Sequence, residues 1–123
     1  SAPVGVEQAP DGTLTVFGAR TRFAALRDKD VTVTAHVVGV YACPNPDVKD
    51  PPCQADHFWI DDTPAGGPRK MMVVGYDKSV EGVKEPSQGA IVRIKGTLST
   101  QAADGFIASD GLLILEDWTK VKP

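Results

Sequence analysis

Three side chains able to do chemistry lie close together in the sequence: Cys43, Cys53 and His57. Four prolines stand between the two cysteines, so this interval is no helix and makes a poor paired strand. We interpret it as a stiff loop closed by a disulfide, which would stabilise the fold by about 2.5–3 kcal/mol. A single cysteine pair in a small, loop-rich domain is typical of an oxidising compartment.

Two other states of these cysteines stay open. They could be free thiols, or they could bind zinc together with His57. Structural zinc sites usually combine closely spaced cysteine pairs with four ligands, and neither feature is present in this sequence. We therefore predict a disulfide between Cys43 and Cys53, and no metal site.

A second group of candidate residues follows the cysteine loop. Strand alternation over this segment places Phe58 and Ile60 on one face and His57, Trp59 and Asp61 on the other. If Phe58 and Ile60 face the core, the outward face presents an imidazole, an indole and a carboxylate. An exposed Trp beside polar groups is typical of a surface that binds a sugar ring, a base or a partner side chain.

Lys70 and Tyr76, in the next predicted strand, are expected to extend this surface. The predicted ligand-binding residues are therefore His57, Trp59, Asp61, Lys70 and Tyr76. The alternative is that Trp59 is buried under the N-terminal segment or the proline loop, with His57 at the rim, because Trp is highly buried on average.

The remaining polar residues give little support for catalysis. Ser109 and Asp110 lie side by side, but no Gly-x-Ser-x-Gly motif surrounds them, and 109–111 is more simply a turn or a bulge in the last strand. Asp61 and Asp62 would point to opposite faces of a strand, so we interpret them as hairpin-turn residues. No glycine-rich phosphate-binding motif opens a helix. The sequence predicts a protein that is not an enzyme and has no cofactor.

Length and charge limit the classes of protein. The chain has 123 residues, which is enough for one domain. Its net charge of −3 argues against nucleic acid as a partner, because proteins that neutralise phosphates usually carry a basic face. No run of about 18–20 apolar residues is present, so no transmembrane segment is predicted. The many glycines and prolines favour short strands and turns over long helices.

The clearest predicted strand is 31–41, which is rich in β-branched residues and alternates in polarity. Gly39 interrupts it and predicts a bulge or a bend. His36 falls on its polar face, where we expect a hydrogen-bonded surface residue. The other predicted strands are 13–17, 57–61, 70–76, 90–98 and 105–115, and one or two helical turns are predicted over 20–27.

Two segments resemble strands of the OB-fold superfamily. Asp30-Val-Thr-Val-Thr-Ala-His-Val-Val-Gly39 resembles the long first strand, which bends at a glycine, and Gly89-Ala-Ile-Val-Arg-Ile-Lys-Gly96 resembles the fourth. The resemblance covers about residues 30–117. It implies an all-β fold, a five-stranded Greek-key barrel, here with an N-terminal extension and little helix.

The resemblance also implies where a ligand would bind. OB-folds bind oligonucleotides, oligosaccharides or proteins on the face of strands two and three, between two flanking loops. Here those loops are 42–56 and 99–104. The sequence departs from the usual pattern in three ways: it lacks a clear helix between strands three and four, it has a cysteine pair in the first loop, and it is acidic.

These observations predict a flexible segment over 1–12, suited to a membrane tether, and one barrel domain over 13–123. They favour a periplasmic or secreted bacterial binding module that recognises a protein, a peptide or a glycan. No signal peptide is visible, so if the cysteines are oxidised, an export signal would have been removed or would lie outside this sequence. The first alternative is a single-stranded nucleic-acid-binding protein that stacks bases on Trp59, Phe58 or Tyr76. The second is a zinc-dependent hydrolase that uses Cys43, Cys53 and His57.

Overall fold

In the computed structural model, the described residues 5–122 form two short helices followed by five strands. Neither helix is long or apolar enough to span a bilayer. The elements are α1 (Val16–Thr21), α2 (Phe23–Leu26), β1 (Asp30–Val40), β2 (Phe58–Asp61), β3 (Met71–Val74), β4 (Ile91–Gln101) and β5 (Ile107–Lys120).

The five strands close into a barrel in the order β1-β2-β3-β5-β4. All neighbouring pairs are antiparallel except β3 and β5, which run parallel. The prediction of an all-β barrel with little helix is confirmed. A mixed five-stranded sheet that closes into a ring is also compatible with an OB-like barrel.

A bulge in β1 allows this strand to serve both halves of the barrel. The pairing of β1 with β2 shifts register between Val37 and Gly39, as the glycine predicts. The first part of β1 pairs with β4 and the last part pairs with β2. His36 lies at the changeover, where it is paired with both Asp61 and Ile91.

A larger irregularity interrupts β5. Gln101 pairs with Ile107 and Ser99 with Leu112, so the segment 108–111 stands opposite Thr100 alone. This confirms the predicted bulge at Ser109-Asp110-Gly111. Next to this bulge, Gly111 lies close to the ring of Phe23 in α2, which a Cβ at Gly111 would meet at 3.0 Å.

The core lies inside the barrel and is built from one face of each strand. Phe58 and Ile60 are fully buried, which confirms the alternation predicted for β2. Val16 and Ala19 of α1 complete this core. A helix that precedes β1 therefore packs against the barrel, and the segment between β3 and β4 is a loop, as the sequence predicts.

The predicted strand over 13–17 is wrong. Only Leu14 makes β-bridges, to Gln8 and Val33, and α1 already begins at Val16. Thr15 ends the extended segment because its hydroxyl caps the helix, accepting a hydrogen bond of 2.8 Å from the Gly18 amide. The helical turns predicted over 20–27 are confirmed in α1 and α2.

The segment 5–12 lies against the barrel. The Thr15 amide donates to the Glu7 carbonyl (3.1 Å) and the Ala9 amide donates to the Thr13 carbonyl (2.8 Å). Gly18 permits this approach, because a Cβ there would collide with the Glu7 carbonyl oxygen. The flexibility predicted for 1–12, and the domain limits based on it, stay predictions; residues 1–4 lie outside the described residues.

Candidate functional site

The loop between β1 and β2 is closed by the predicted disulfide. Cys43 and Cys53 are bonded, with their Cα atoms 5.5 Å apart. The base of the loop is fixed where the Gln54 amide donates to the Tyr41 hydroxyl (3.1 Å) and the Tyr41 amide donates to the His57 carbonyl (3.0 Å). From residue 44 to residue 54 every side chain is exposed. A rigid base therefore presents an exposed, proline-stiffened tip.

The disulfide removes the thiolate ligands on which the zinc alternative depends. Both sulfur atoms are bonded to each other, so they offer no thiolate to a metal. Within residues 5–122, no three His, Cys, Asp or Glu side chains are placed to hold a metal ion.

His57 is buried, with 5 % of its surface exposed. Its ring stacks on Tyr41 at a centroid distance of 4.7 Å and meets Phe106 edge-on, also at 4.7 Å. One ring nitrogen, Nδ1, lies 2.8 Å from the Ala55 carbonyl oxygen. His57 therefore joins the disulfide loop, β2 and the loop before β5, and its ring faces are already in contact with other rings.

Trp59 and Lys70 are brought together, on the outward face where the sequence places both. Trp59 is half-buried, and the Lys70 ammonium lies 5.0 Å from the centroid of its ring. Such a cation–π contact contributes about 0.5–1 kcal/mol at an exposed site. The neighbouring residue on β3 is Met72, which pairs with Trp59 across the two strands.

The other two predicted residues lie apart from this pair. Asp61 is at the far end of β2, where its carboxylate accepts a hydrogen bond from the Asp62 amide (2.8 Å). Tyr76 follows β3 and turns onto Phe58, with ring centroids 5.8 Å apart, and its hydroxyl donates to Glu85. Burial, together with the hydrogen bond and charge of Glu85, raises the pKa of Tyr76 far above its ordinary value.

A groove of about 480 Å³ lies beside Trp59, between the start of β3 and the bulge of β5. Its lining is mixed: Trp59, Met72 and Ile107 supply apolar surface, and Lys70, Ser109 and Asp110 supply polar surface. Ile107 is 75 % exposed. We call this the Ile107 groove. Sequence reasoning missed Met72 and Ile107 as site residues, because only the closed barrel places the start of β5 beside β2 and β3.

Arg20 holds the two walls of the Ile107 groove together. Its guanidinium donates to the carbonyls of Arg69 (2.8 Å) and Lys70 (2.5 Å) on one side and of Asp110 (3.0 Å) on the other. It also pairs with the Asp110 carboxylate at 3.1 Å, and only 9 % of its side chain is exposed. Neighbouring residues could not reveal this bridge, because the partners of Arg20 lie some 50 and 90 residues away in sequence.

The expected surface position of His36 is wrong. Its exposed fraction is 7 %, and neither ring nitrogen has a hydrogen-bond partner in the part of the chain that the structure describes. The residue does lie on the outer face of β1, but the segment Ala9–Asp11 lies over that face and leaves a cleft of about 230 Å³. We call this the His36 cleft.

This burial predicts acid sensitivity. Burial lowers the pKa of His36 below its ordinary 6.5, although the negative charge of Asp62 acts in the opposite direction. Two other charged side chains near the cleft, Asp11 and Arg93, form an ion pair with each other. The unfolded chain binds a proton that the folded chain excludes, so stability is lost as pH falls below about 6.5, by at most about 1.4 kcal/mol per pH unit. Urea unfolding at pH 5 to 8 should show this slope.

The variant His36→Leu is the control for this prediction. It should lose less stability than the wild type over the same pH range, because it has no imidazole to protonate. Equal pH dependence in the two proteins would contradict the assignment to His36.

The comparison with known proteins supports the fold alone. No protein-family model matches this sequence, and no curated protein matches it. Among solved structures, the chain is similar to a protein assigned as an aspartyl-tRNA synthetase from Leishmania major Friedlin, with a TM-score of 0.54 and 14 % identity. The match covers 98 % of this chain but 23 % of that one. At this identity the likeness concerns the barrel alone.

Proposed function

We propose that this chain is a non-enzymatic binding module of the OB-fold type that takes a protein or peptide segment into the Ile107 groove. The exposure of Ile107 carries the proposal. Single exposed apolar side chains are ordinary on protein surfaces, but Ile107 shares a groove with Trp59 and Met72. A surface of this kind, in which apolar side chains lie beside polar groups, is typical of protein contacts.

The occupied aromatic rings favour a peptide over a glycan. A sugar binds best to a free aromatic face, whereas the Lys70 ammonium lies over Trp59 and His57 is packed against Tyr41 and Phe106. The most accessible apolar group is the aliphatic side chain of Ile107. An apolar side chain of a partner protein fits that surface.

The charged side chains at the groove indicate which kind of residue should flank the apolar anchor of the partner segment. Arg20 is neutralised by Asp110 at 3.1 Å, whereas Lys70 is exposed and has no carboxylate within 4 Å in the described residues. We expect the partner segment to carry an acidic residue next to its apolar anchor, since Lys70 then gains a counter-charge at the rim.

The disulfide loop supports an extracytoplasmic location. Disulfides persist in oxidising compartments, and a proline-rich loop that is already ordered loses less entropy on binding. We extend the proposal accordingly to a secreted or periplasmic protein of a bacterial envelope.

Single-stranded nucleic acid is the second candidate. Two observations favour it: the structural likeness to a protein assigned as a tRNA synthetase, and the half-buried aromatic rings of Tyr41, Trp59 and Phe106, which surround the buried His57. Binding by base stacking in a basic channel would weaken steeply as salt is added.

Selection of peptides from a displayed library against the oxidised protein tests the proposal. Peptides with an acidic residue next to an apolar one should be enriched, and Ile107→Asp should weaken their binding at least tenfold. Val80→Asp is the matched control, because Val80 is also exposed but lies in the loop between β3 and β4. Peptides that bind both variants equally, or a strong and salt-sensitive affinity for oligo(dT) alone, would contradict the proposal.

A further inference from the structure

The disulfide loop, whose residues 42–56 the structure describes throughout, contributes no side chain to the lining of the Ile107 groove. The loop and the groove are nevertheless connected by a series of aromatic contacts. This series begins at Tyr41, passes through His57 and ends at Trp59 and Phe106. A change at the loop can therefore reach the groove through side chains that are already packed together.

Tyr41 is fixed from the side of the loop. Its hydroxyl accepts a hydrogen bond of 3.1 Å from the amide of Gln54, the residue after Cys53. Cys43, two residues after Tyr41, is bonded to Cys53, with their Cα atoms 5.5 Å apart. The disulfide thus holds the Tyr41 hydroxyl and the Gln54 amide within reach of each other.

His57 is clamped between the rings of this series. Tyr41 stacks on it with 15° between the ring planes, and Phe106 meets it edge-on at a centroid distance of 4.7 Å. Trp59 also meets it edge-on, at 6.3 Å. Only 5 % of His57 is exposed, so its ring tilts only if one of these neighbours moves.

The last two rings of the series belong to opposite sides of the Ile107 groove. Trp59 lines the groove from β2, and Phe106 directly precedes Ile107, which lines it from β5. The turn before β5 is held internally by hydrogen bonds from the Ala102 amide to the Phe106 carbonyl (3.0 Å) and from the Gly105 amide to the Ala102 carbonyl (3.1 Å). This turn therefore moves as a unit, and His57 fixes both sides of the groove at once.

The disulfide is open to attack from solvent. Cys53 is exposed and Cys43 is half-buried, in a loop whose tip is exposed throughout. Exposed disulfides are typically the labile or regulatory ones, because a thiolate reaches them without unfolding the protein.

We propose that the Cys43–Cys53 disulfide sets the affinity of the Ile107 groove for its partner, and that reduction by a dithiol lowers this affinity. The switch rests on the proposed function, because it acts on the same groove. A thiolate of the reductant attacks the Cys53 sulfur, and the bond to Cys43 breaks. The second thiolate of the reductant then displaces Cys53, so the protein gains two electrons and two protons and the reductant leaves as a disulfide. His57 is a positioning residue: when Tyr41 is released, its ring tilts and both sides of the groove lose a fixed contact.

NMR of the protein without a partner tests the coupling between the loop and the groove. Dithiothreitol should shift the indole signal of Trp59 and the methyl signals of Ile107. The indole of Trp118, which lies outside the groove and donates to the Lys84 carbonyl (2.9 Å), should keep its position. Unchanged Trp59 and Ile107 signals would overturn the proposal, as would an equal shift at Trp118, because that shift would indicate general unfolding.

A peptide selected against the oxidised protein tests the switch itself. It should bind the oxidised form at least tenfold more tightly than the reduced form, and by linkage it should lower the reduction potential of the disulfide by about 30 mV for each factor of ten. Equal affinity for the two forms, with binding still sensitive to Ile107→Asp, would overturn the switch and leave the proposed function standing. Failure to select a groove-binding peptide would contradict the proposed function, and the NMR signals of Trp59 and Ile107 would then decide the coupling.

Variants along the contact series show whether His57 carries the effect. Phe106→Leu removes a ring contact but keeps an apolar side chain, and His57→Ala removes the central ring, so each should bind the peptide almost equally in both redox states. His57→Phe keeps a flat ring against Tyr41 and should retain most of the difference. Val48→Ala, at the exposed tip of the loop, is the control and should retain all of it. An undiminished difference in folded Phe106→Leu or His57→Ala would overturn the role of His57.

Discussion

Asp62→Ala is expected to lower the free energy of unfolding by about 2–4 kcal/mol. The Asp62 carboxylate is buried and accepts from the first two amides of α1, those of Val16 (2.7 Å) and Phe17 (3.0 Å). Alanine would leave the buried Val16 amide without this acceptor and would free the helix that closes the core through Val16 and Ala19. Urea and thermal unfolding of the oxidised protein would measure the loss.

The neighbouring carboxylate is the matched control. Asp61 is half-buried and its carboxylate accepts a hydrogen bond from the adjacent Asp62 amide, so Asp61→Ala should cost less than about 1 kcal/mol. Asp62→Asn should fall between the two alanine variants, because its amide group has one acceptor oxygen where the carboxylate has two. Equal losses for Asp61→Ala and Asp62→Ala would contradict the capping role.

Arg20→Ala is expected to cost about 3 kcal/mol and to weaken partner binding at the Ile107 groove at least tenfold. Its largely buried guanidinium bridges the Arg69 and Lys70 carbonyls on one wall and Asp110 on the other. Alanine would leave those carbonyls unpaired and the bulge of β5 unsupported. Urea unfolding and the affinity for a selected peptide would measure the two effects.

Two further variants separate the geometry of Arg20 from its charge. Arg20→Lys keeps the charge but not the planar fork, so it should recover only part of the stability and of the binding. Arg22→Ala removes a nearby exposed arginine, 3.9 Å from Glu7, and should change stability by less than about 0.5 kcal/mol. A full rescue by lysine, or an equal loss at Arg22, would contradict the bridging role.

Features that depend on neighbours in the sequence could be predicted. The β-branched alternation of 31–41 and the glycine at 39 indicate a long strand with a bulge, and the structure has both. The alternation of Phe58 and Ile60 indicates the core face of β2. The cysteines lie at the ends of one short loop, so their pairing needs no knowledge of the rest of the fold.

The start of α1 could not be predicted in this way. The alternation of Thr13-Leu-Thr-Val-Phe17 is compatible with a strand, and nothing within it excludes one. The Thr15 hydroxyl caps α1 locally, and the Asp62 carboxylate, 46 residues away in sequence, accepts a hydrogen bond from its first amide, that of Val16. The start of α1 therefore depends on a contact between distant residues in addition to its local cap.

The sequence by itself thus determined the class of fold, the disulfide and the core face of β2. Only the tertiary structure decided which residues lie next to each strand face: Tyr76 packs on Phe58, Ile107 lies beside Trp59, and the segment 9–11 lies over His36. The physical reason is that periodicity tells which residues share a face of a strand, whereas what lies over that face depends on where the closed barrel places the rest of the chain.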